Sequence, residues 1–329
     1  MRRVAVVGFA QRQLARFTGS PTCVELLVPI FADCYAQTGW TKADVGFWCS
    51  GSSDYLAGRS FSFVSAVDAI GALPPVVESH VEMDAAWALY EAWVKIQTGE
   101  VDTAMVYGFG KASAGVLRRT LALQLDPYTL TPLWPDTVSI AGLQARIGLE
   151  SGAWSEQDMA EVVARSGVAA TTNPHAVRRG QHSVEELLAE PIYADPLRRH
   201  DCAPVTDGAA AIVLAASGPA QDACERPAWI TGIAHSIDAQ SLASRDLTLA
   251  PSAGRAATAA GVADVDVAEL HAPFSHQELI LRQEFSLGEH TQINPSGGAL
   301  SGNPMFAGGL IRIGEAAQQI WSGAADTAL

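Results

Sequence analysis

Val4 to Gly8 is an unbroken apolar run closed by a glycine, the pattern of a strand covered on both faces. Helical spacing follows over about Cys23 to Gln37, and a second strand-like run covers Val45 to Cys49. This alternation predicts an α/β fold. The pattern returns after Pro227. Ala228 to Ala234 parallels Val4 to Ala10, Ser252 to Ala260 reads as a helix and Val265 to His271 as a strand. An internal duplication follows, in which two βαβαβ halves build one layered α/β/α/β/α sandwich rather than two independent domains.

From about Asp84 to Gln97 the helical pattern carries Ala85, Ala86, Ala88, Leu89 and Ala92, small residues that allow close approach on several faces and predict a buried central helix. Strands are expected at Thr103 to Tyr107 and at about 207–214, and a helix at Met305 to Ile320. Between the two strands lies an insertion rich in Pro, Trp and Tyr, with a helical portion from Ser155 to Ala170; a connection of that length reads as a lid or an interface loop. The expected organisation is an N-terminal half over 1–118 completed by a strand at about 195–218, an insertion over 119–194, and a C-terminal half over 225–329.

The 329 residues are 48% hydrophobic and 17% charged, which excludes a disordered chain and predicts a large interior. No apolar run approaches the roughly 20 residues of a membrane span, so a cytoplasmic protein is expected. A formal charge of -14 argues against nucleic acid, which needs clustered Lys and Arg. Any anionic ligand would need a local basic patch, for which Arg118-Arg119, Arg178-Arg179 and Arg198-Arg199 are the candidates. Five cysteines without Cys-x-x-Cys or Cys/His spacing predict neither a disulfide framework nor a metal site.

Four segments carry the chemistry. They are Val81-Glu82-Met83-Asp84-Ala85-Ala86-Trp87-Ala88-Leu89, Asp195-Pro196-Leu197 through Asp207-Gly208-Ala209-Ala210, Glu269-Leu270-His271-Ala272-Pro273-Phe274, and Asn294-Pro295-Ser296-Gly297-Gly298 through Gly302-Asn303-Pro304. In order and spacing this set resembles the thiolase superfamily. Asp126-Pro127-Tyr128, Leu133-Trp134-Pro135-Asp136 and Asn303-Pro304-Met305 resemble its lipid-transfer-protein (SCP-x-like) branch, closest to the aldolases that remove the steroid side chain in actinobacteria.

The resemblance places Glu82 where the family keeps its nucleophilic cysteine. A carboxylate cannot run acyl exchange through a thioester, so thiolysis is not expected. Glu82 is either a first-turn acid offsetting the helix dipole, with Asp84 as the N-cap, or a buried acid or base with a raised pKa that handles a proton or fixes a neighbouring histidine; Asp84 is the second candidate for that role. His271 matches the family residue that holds the thioester oxygen, and His276 is the weaker alternative. Asn303 stands where the family has the histidine of Gly-His-Pro; an amide can donate to an enolate oxygen but carries no proton. Gly297 and Gly298 are expected to present backbone N–H groups to that oxygen, and Tyr128 to contact substrate. Trp134 and Phe306 suit a lipidic substrate or simply the core. The family's second cysteine, in a Gly-rich loop, and its final strands are not expected within these 329 residues, so the chain is read either as truncated or as completing its fold differently.

The implied activity is retro-aldol cleavage of a hydroxyacyl-CoA thioester to a 17-ketosteroid and propionyl-CoA. The implied assembly is a homodimer, paired through about Val76 to Val81, that binds a small OB-fold/zinc-ribbon protein as α2β2. Zinc is expected only in that partner, and coenzyme A only as part of the substrate. The competing reading is a non-catalytic acyl-CoA-binding or lipid-transfer subunit. An acyltransferase using Cys202 or Cys49 is disfavoured, since neither precedes the buried helix.

Overall fold

The computed structural model describes residues 2–14, 22–57, 60–262 and 264–329. In chain order the elements that position the site are β1 (Val4–Leu14), α1 (Cys23–Thr38), β2 (Phe47–Gly51), α2 (Ser62–Ile70), β3 (Glu78–Val81), α3 (Ala85–Thr98), β4 (Thr103–Gly110), α4 (Thr137–Ser151), α5 (Glu156–Ala169), β5 (Val205–Ala216), β6 (Ala228–Trp229), α6 (Pro251–Ala260), β7 (Val267–Ala268), α7 (Ser275–Glu284), β8 (Gln292–Ile293), β9 (Asn303–Pro304) and α8 (Gly308–Trp321). The chain divides into two units, one of residues 1–115, 205–231 and 303–329, the other of 116–204 and 232–302. The expected insertion thus shares a unit with most of the expected C-terminal half, and that half is itself divided at Gly302/Asn303.

The first unit is built on a mixed sheet in the order β3-β2-β4-β5-β1-β6, with β9 also pairing β5. β3 and β4 flank β2 in parallel, while β5 runs antiparallel to both β4 and β1. The Ala-rich run of β5 explains its central place: eleven of its twelve residues are buried, and small side chains let both faces be covered. Ala209, Ala211, Val213 and Ala215 join a cluster with Leu27, Ile30 and Phe31 of α1, and the intervening residues are buried on the opposite face by the two-residue alternation of a strand. Phe31, Trp48 and Tyr107 meet edge to face, with Phe31 5.2 Å from each of the other two, a geometry favoured by the ring quadrupoles. α1 begins at a capping box formed by Thr22 and Glu25.

The second unit packs α4, α5 and α7 around Ala141, Ala145, Trp154, Met159, Phe274 and Ile280. Its sheet is short: β7 and β8 pair in parallel through Gln292↔Val267 and Ile293↔Ala268. The strand expected at Val265 to His271 therefore keeps only two ladder residues. Ala228 to Ala234 is likewise reduced to β6, which pairs β1 at the sheet edge. Beyond Ile230, whose N–H reaches Val4 O at 2.9 Å, the chain leaves the ladder, because an edge strand holds its register only while a neighbour runs beside it. α8 begins at Gly308 rather than Met305, since Met305 to Ala307 form a turn. Among the described residues no helix is long and apolar enough to cross a membrane, and no His/Cys/Asp/Glu group is arranged to hold a metal.

Candidate active site

In the first unit, β3 delivers the chain to a turn, Glu82-Met83, and then to α3. Asp84 caps that helix: one carboxylate oxygen accepts the N–H of Ala86 at 2.9 Å, and the other accepts the N–H of Gly309, at the start of α8, at 3.2 Å. Two helix N-termini thus share one carboxylate, an arrangement that the partial positive charge of each favours. The N-cap reading of Asp84 holds, and both of its oxygens are engaged. Glu82 lies two residues before the cap, outside the helix, so it is not a first-turn acid. Nor is it buried, as the alternative reading expected: its side chain is 56% exposed.

A histidine that the sequence reading passed over stands beside Glu82. His80, on β3, precedes it by two residues, and the two side chains meet. Its Nε2 is 3.3 Å from Glu82 Oε2, and its Nδ1 is 2.9 Å from Ser50 Oγ. Ser50 is the registered partner of His80 on β2. The His-x-Glu spacing at a strand end was the signal available in the sequence. The imidazole stacks on Phe63 of α2, with centroids 4.8 Å apart and planes at 15°.

Asn303 lies in the same unit. β9 pairs in parallel with β5, and the Asn303 N–H donates to Thr206 Oγ1 at 3.1 Å. Its side-chain oxygen is buried without a hydrogen-bond partner among the described residues, a costly state for an amide acceptor. The turn that follows rests on glycines of β4. A Cβ at Gly108 would sit 2.5 Å from Phe306 O, and one at Gly110 would sit 2.1 Å from Met305 O. The Phe306 carbonyl also accepts the N–H of Ala85 at 3.0 Å.

The second unit contains the Glu269–Phe274 and Asn294–Gly298 segments and holds them together by buried hydrogen bonds. Glu269 accepts the backbone N–H and hydroxyl of Ser296 at 2.9 and 2.8 Å. Asn294, with φ at +49°, accepts the Leu270 N–H at 2.6 Å and donates to Glu278 at 2.8 Å, and Glu278 is ion-paired to Arg165. This lattice carries the chain to His271, which is exposed just beyond β7. Gly297 and Gly298 do not present N–H groups as expected. The Gly297 N–H donates to Asn294 O at 2.9 Å and that of Gly298 to Ser296 Oγ at 3.3 Å, and both residues have positive φ. Their work is to close the loop, a conformation glycine adopts without strain.

His276 is fully buried, with Nε2 3.0 Å from Gln144 Oε1. Burial pushes its pKa down to about 4, so at neutral pH it is an uncharged core residue and not a substrate contact. Tyr128 is 87% exposed on a turn organised by Asp126, which accepts the N–H groups of Tyr128 and Thr129 at 3.1 and 2.6 Å. Of the expected basic pairs, Arg178, Arg179 and Arg199 line one cavity of about 280 Å³ together with His200, Leu187 and Glu190. Arg118 and Arg198 instead pair with Asp136 and Glu156 at 3.2 and 2.8 Å. Three of the thiols are held protonated at neutral pH: burial pushes Cys202 and Cys34 up to about 12 and raises Cys49 as well.

The chain matches no protein-family model. It is 26% identical over 208 residues to the acetyl-CoA acetyltransferase of Methanothermobacter thermautotrophicus, covering 56% of this chain and 54% of that protein. It is 28% identical over 276 residues to sterol carrier protein 2 of Homo sapiens, covering 71% of this chain and 50% of that protein. The chain spans about half the length of these curated relatives. Among solved structures, human mitochondrial 3-ketoacyl-CoA thiolase superposes with a TM-score of 0.78 at 15% identity, over 99% of this chain and 94% of that one. This chain has the thiolase fold. A second structure with the thiolase fold, the Ltp2-ChsH2(DUF35) aldolase, superposes with a TM-score of 0.77 at 20% identity, over 97% of this chain and 90% of that one.

Proposed function

We propose that this chain is a carbon–carbon lyase of the thiolase fold, a steroid side-chain aldolase acting on a hydroxyacyl-CoA thioester. The observation that carries the reading is the half-exposed Glu82, hydrogen-bonded to His80, at the turn into α3. The resemblance puts a thiol nucleophile at this turn, whereas Cys49 on the neighbouring strand is buried and its pKa is raised. Proton chemistry suits such a group and acyl transfer does not.

In a retro-aldol step a base takes the proton of the tertiary hydroxyl, the Cα–Cβ bond breaks, and its electron pair becomes the thioester enolate. The new C=O leaves as a 17-ketosteroid, and protonation of the enolate at Cα gives propionyl-CoA. We assign hydroxyl deprotonation or enolate binding to His271, a hydrogen bond to the enolate oxygen to the Asn303 amide, and the return of the proton to Glu82. Tyr128 contacts substrate from its exposed turn. The cavity lined by Arg178, Arg179 and Arg199 suits the phosphates of coenzyme A in a chain of formal charge -14.

The proposed assembly is a homodimer paired at β3, an edge strand of the sheet, with one OB-fold/zinc-ribbon partner per subunit. The partner, not this chain, holds the zinc. The likeness to an Ltp2-ChsH2(DUF35) complex supports such a partner.

The test is to incubate the purified chain, with and without that partner, with a 17-hydroxy steroid side-chain CoA thioester. Release of the 17-ketosteroid and propionyl-CoA is expected. Saturable binding of the thioester without release of ketone under either condition would establish the acyl-CoA-binding reading in its place.

A further inference from the structure

Ser50, His80 and Glu82 form a hydrogen-bonded series that runs from two registered strands into the turn after β3, with distances of 2.9 and 3.3 Å. We propose that His80 is a positioning residue that aims Glu82 as the acid for the thioester enolate, by fixing which carboxyl oxygen carries the proton. This inference rests on the aldolase reading above and names how its final proton step is controlled.

The argument runs from the fixed end outwards. Ser50 is fully buried, so its hydroxyl has no water to turn to. His80 is largely buried too, its side chain 15% exposed, and it is clamped flat on Phe63. An ionised carboxylate only accepts hydrogen bonds, so the Glu82 contact places the ring hydrogen on Nε2. Nδ1 is then the acceptor, and the Ser50 hydroxyl donates to it.

Two other carboxylates feel the ring, Asp54 and Glu78. Asp54 is already committed to the N–H groups of Phe61 and Ser62, at 2.9 Å each. Glu78 is held on the same strand four residues upstream of the turn. Glu82 is the carboxylate bonded to Nε2.

With Oε2 occupied as an acceptor of Nε2–H, a proton bound by Glu82 goes to Oε1. The acid hydrogen therefore sits on the oxygen that His80 leaves unused. In the step itself the Oε1–H bond breaks, the enolate π pair forms the new Cα–H bond, and Glu82 is left as the carboxylate. The Nε2–H hydrogen bond then stabilises that anion, and solvent reprotonates the exposed group for the next turnover. Ser50 keeps the ring orientation throughout. His80 gives up no proton of its own, so no alkoxide is formed at the buried serine.

The test uses the product side alone, so that it is separate from cleavage. The full chain is incubated with propionyl-CoA in D2O, and deuterium entry at Cα is followed by NMR. Wild-type protein is expected to exchange. His80→Phe keeps the ring packing on Phe63 but loses the Nε2 donor, and should slow exchange about 100-fold with little change in KM, the scale of loss expected when a reacting group is misplaced. His80→Gln restores a donor near the Nε2 position and should recover most of the rate, a recovery that a purely packing role for His80 would not give. Independently, 15N NMR should find His80 as the Nε2–H tautomer, and Glu82→Gln or Ser50→Ala should shift it toward a mixture.

No exchange by wild-type protein, unimpaired exchange in His80→Phe, or an Nδ1–H tautomer would each overturn the inference. Exchange that depends on His80 without any cleavage of the hydroxyacyl thioester would overturn the aldolase reading and leave the role of His80 standing.

Discussion

Asp84 and Gly309, 225 residues apart in sequence, are joined by a hydrogen bond of 3.2 Å in which the carboxylate of one N-cap receives the first-turn N–H of another helix. The spacing is enforced on both sides. A Cβ at Gly309 would lie 2.3 Å from Asp84 Oδ1, so no larger residue fits there without moving the cap. The neighbouring Ala85 N–H is taken by Phe306 O, and the turn between Asn303 and α8 is thereby fastened to the start of α3.

Asp84→Ala should therefore cost more than an ordinary cap. Loss of an N-cap side chain is worth about 1 kcal/mol, and here a second helix N-terminus loses its acceptor as well, giving about 2 kcal/mol in all. Asp84→Asn keeps one acceptor oxygen but turns a donor NH2 toward the other N–H, so it should recover at most about half. Urea unfolding of the three proteins measures this. A loss in Asp84→Ala of about 1 kcal/mol or less, that of an ordinary cap, would show that the α8 contact contributes nothing.

Thiol chemistry should be dispensable. With Cys202 pushed up to about 12 by burial and by the nearby Asp201, essentially no thiolate exists at pH 7. Cys202→Ala is expected to leave any cleavage activity within about twofold of wild type, and the protein should release no acetyl-CoA from a 3-ketoacyl-CoA in the presence of free coenzyme A. Thiol-dependent acetyl-CoA formation abolished by a cysteine substitution would falsify this.

His276 should make stability fall on mild acidification. Its folded pKa is depressed from 6.5 to about 4 by burial, so the unfolded chain binds the extra proton between these values and the folded chain does not. The stability linked to this group is fully present above about pH 6.5. It is lost as pH falls toward 4, by up to about 3 kcal/mol at roughly 1.4 kcal/mol per unit. His276→Gln has no such proton to bind. Denaturation midpoints recorded from pH 7 to 4 should fall more steeply for wild type than for the variant, and parallel curves would contradict the assignment.

How much of this was legible beforehand depends on whether a feature is local. β1, α1, β4 and β5 follow from runs of apolar or small residues long enough to fix their own period, and Asp84 as a cap follows from its place before an Ala-rich helix. The segments after Pro227 carry similar apolar runs but form only β6 and β7. Whether such a run pairs is decided by neighbours distant in sequence, and at β6 the pairing ends where the chain leaves β1. The same holds at the site. A buried Glu82 is one of the two readings open at the family position, yet exposure is set by how the turn before α3 projects. The glycines of the Asn294–Gly298 loop were read as donors, but Asn294 O and Ser296 Oγ of the same loop take those N–H groups. His80 was overlooked because its meaning lies in the registered Ser50 across the ladder, which no single-strand pattern displays.

The ranking of catalytic groups is tested by His271 and Asn303. If cleavage proceeds through an enolate, removing the base or the oxyanion donor costs about 100-fold or more in kcat, so His271→Ala and Asn303→Ala should each reach that loss with KM little changed. Their structural consequences should differ. His271 is exposed, so its replacement should leave the protein folded, with at most a modest shift of the melting temperature. The buried Asn303 oxygen has no partner among the described residues, so its removal should leave stability unchanged or raise it slightly, since that desolvated acceptor makes no compensating hydrogen bond there. Glu82→Gln keeps shape but removes the titratable group. If Glu82 returns the proton it should lower turnover as strongly as the other two, and its exposure means the fold will not suffer. Cleavage assays on the partner-bound protein, run beside thermal melts, decide the matter. Near-normal turnover in folded His271→Ala and Asn303→Ala would place the chemistry on groups other than these.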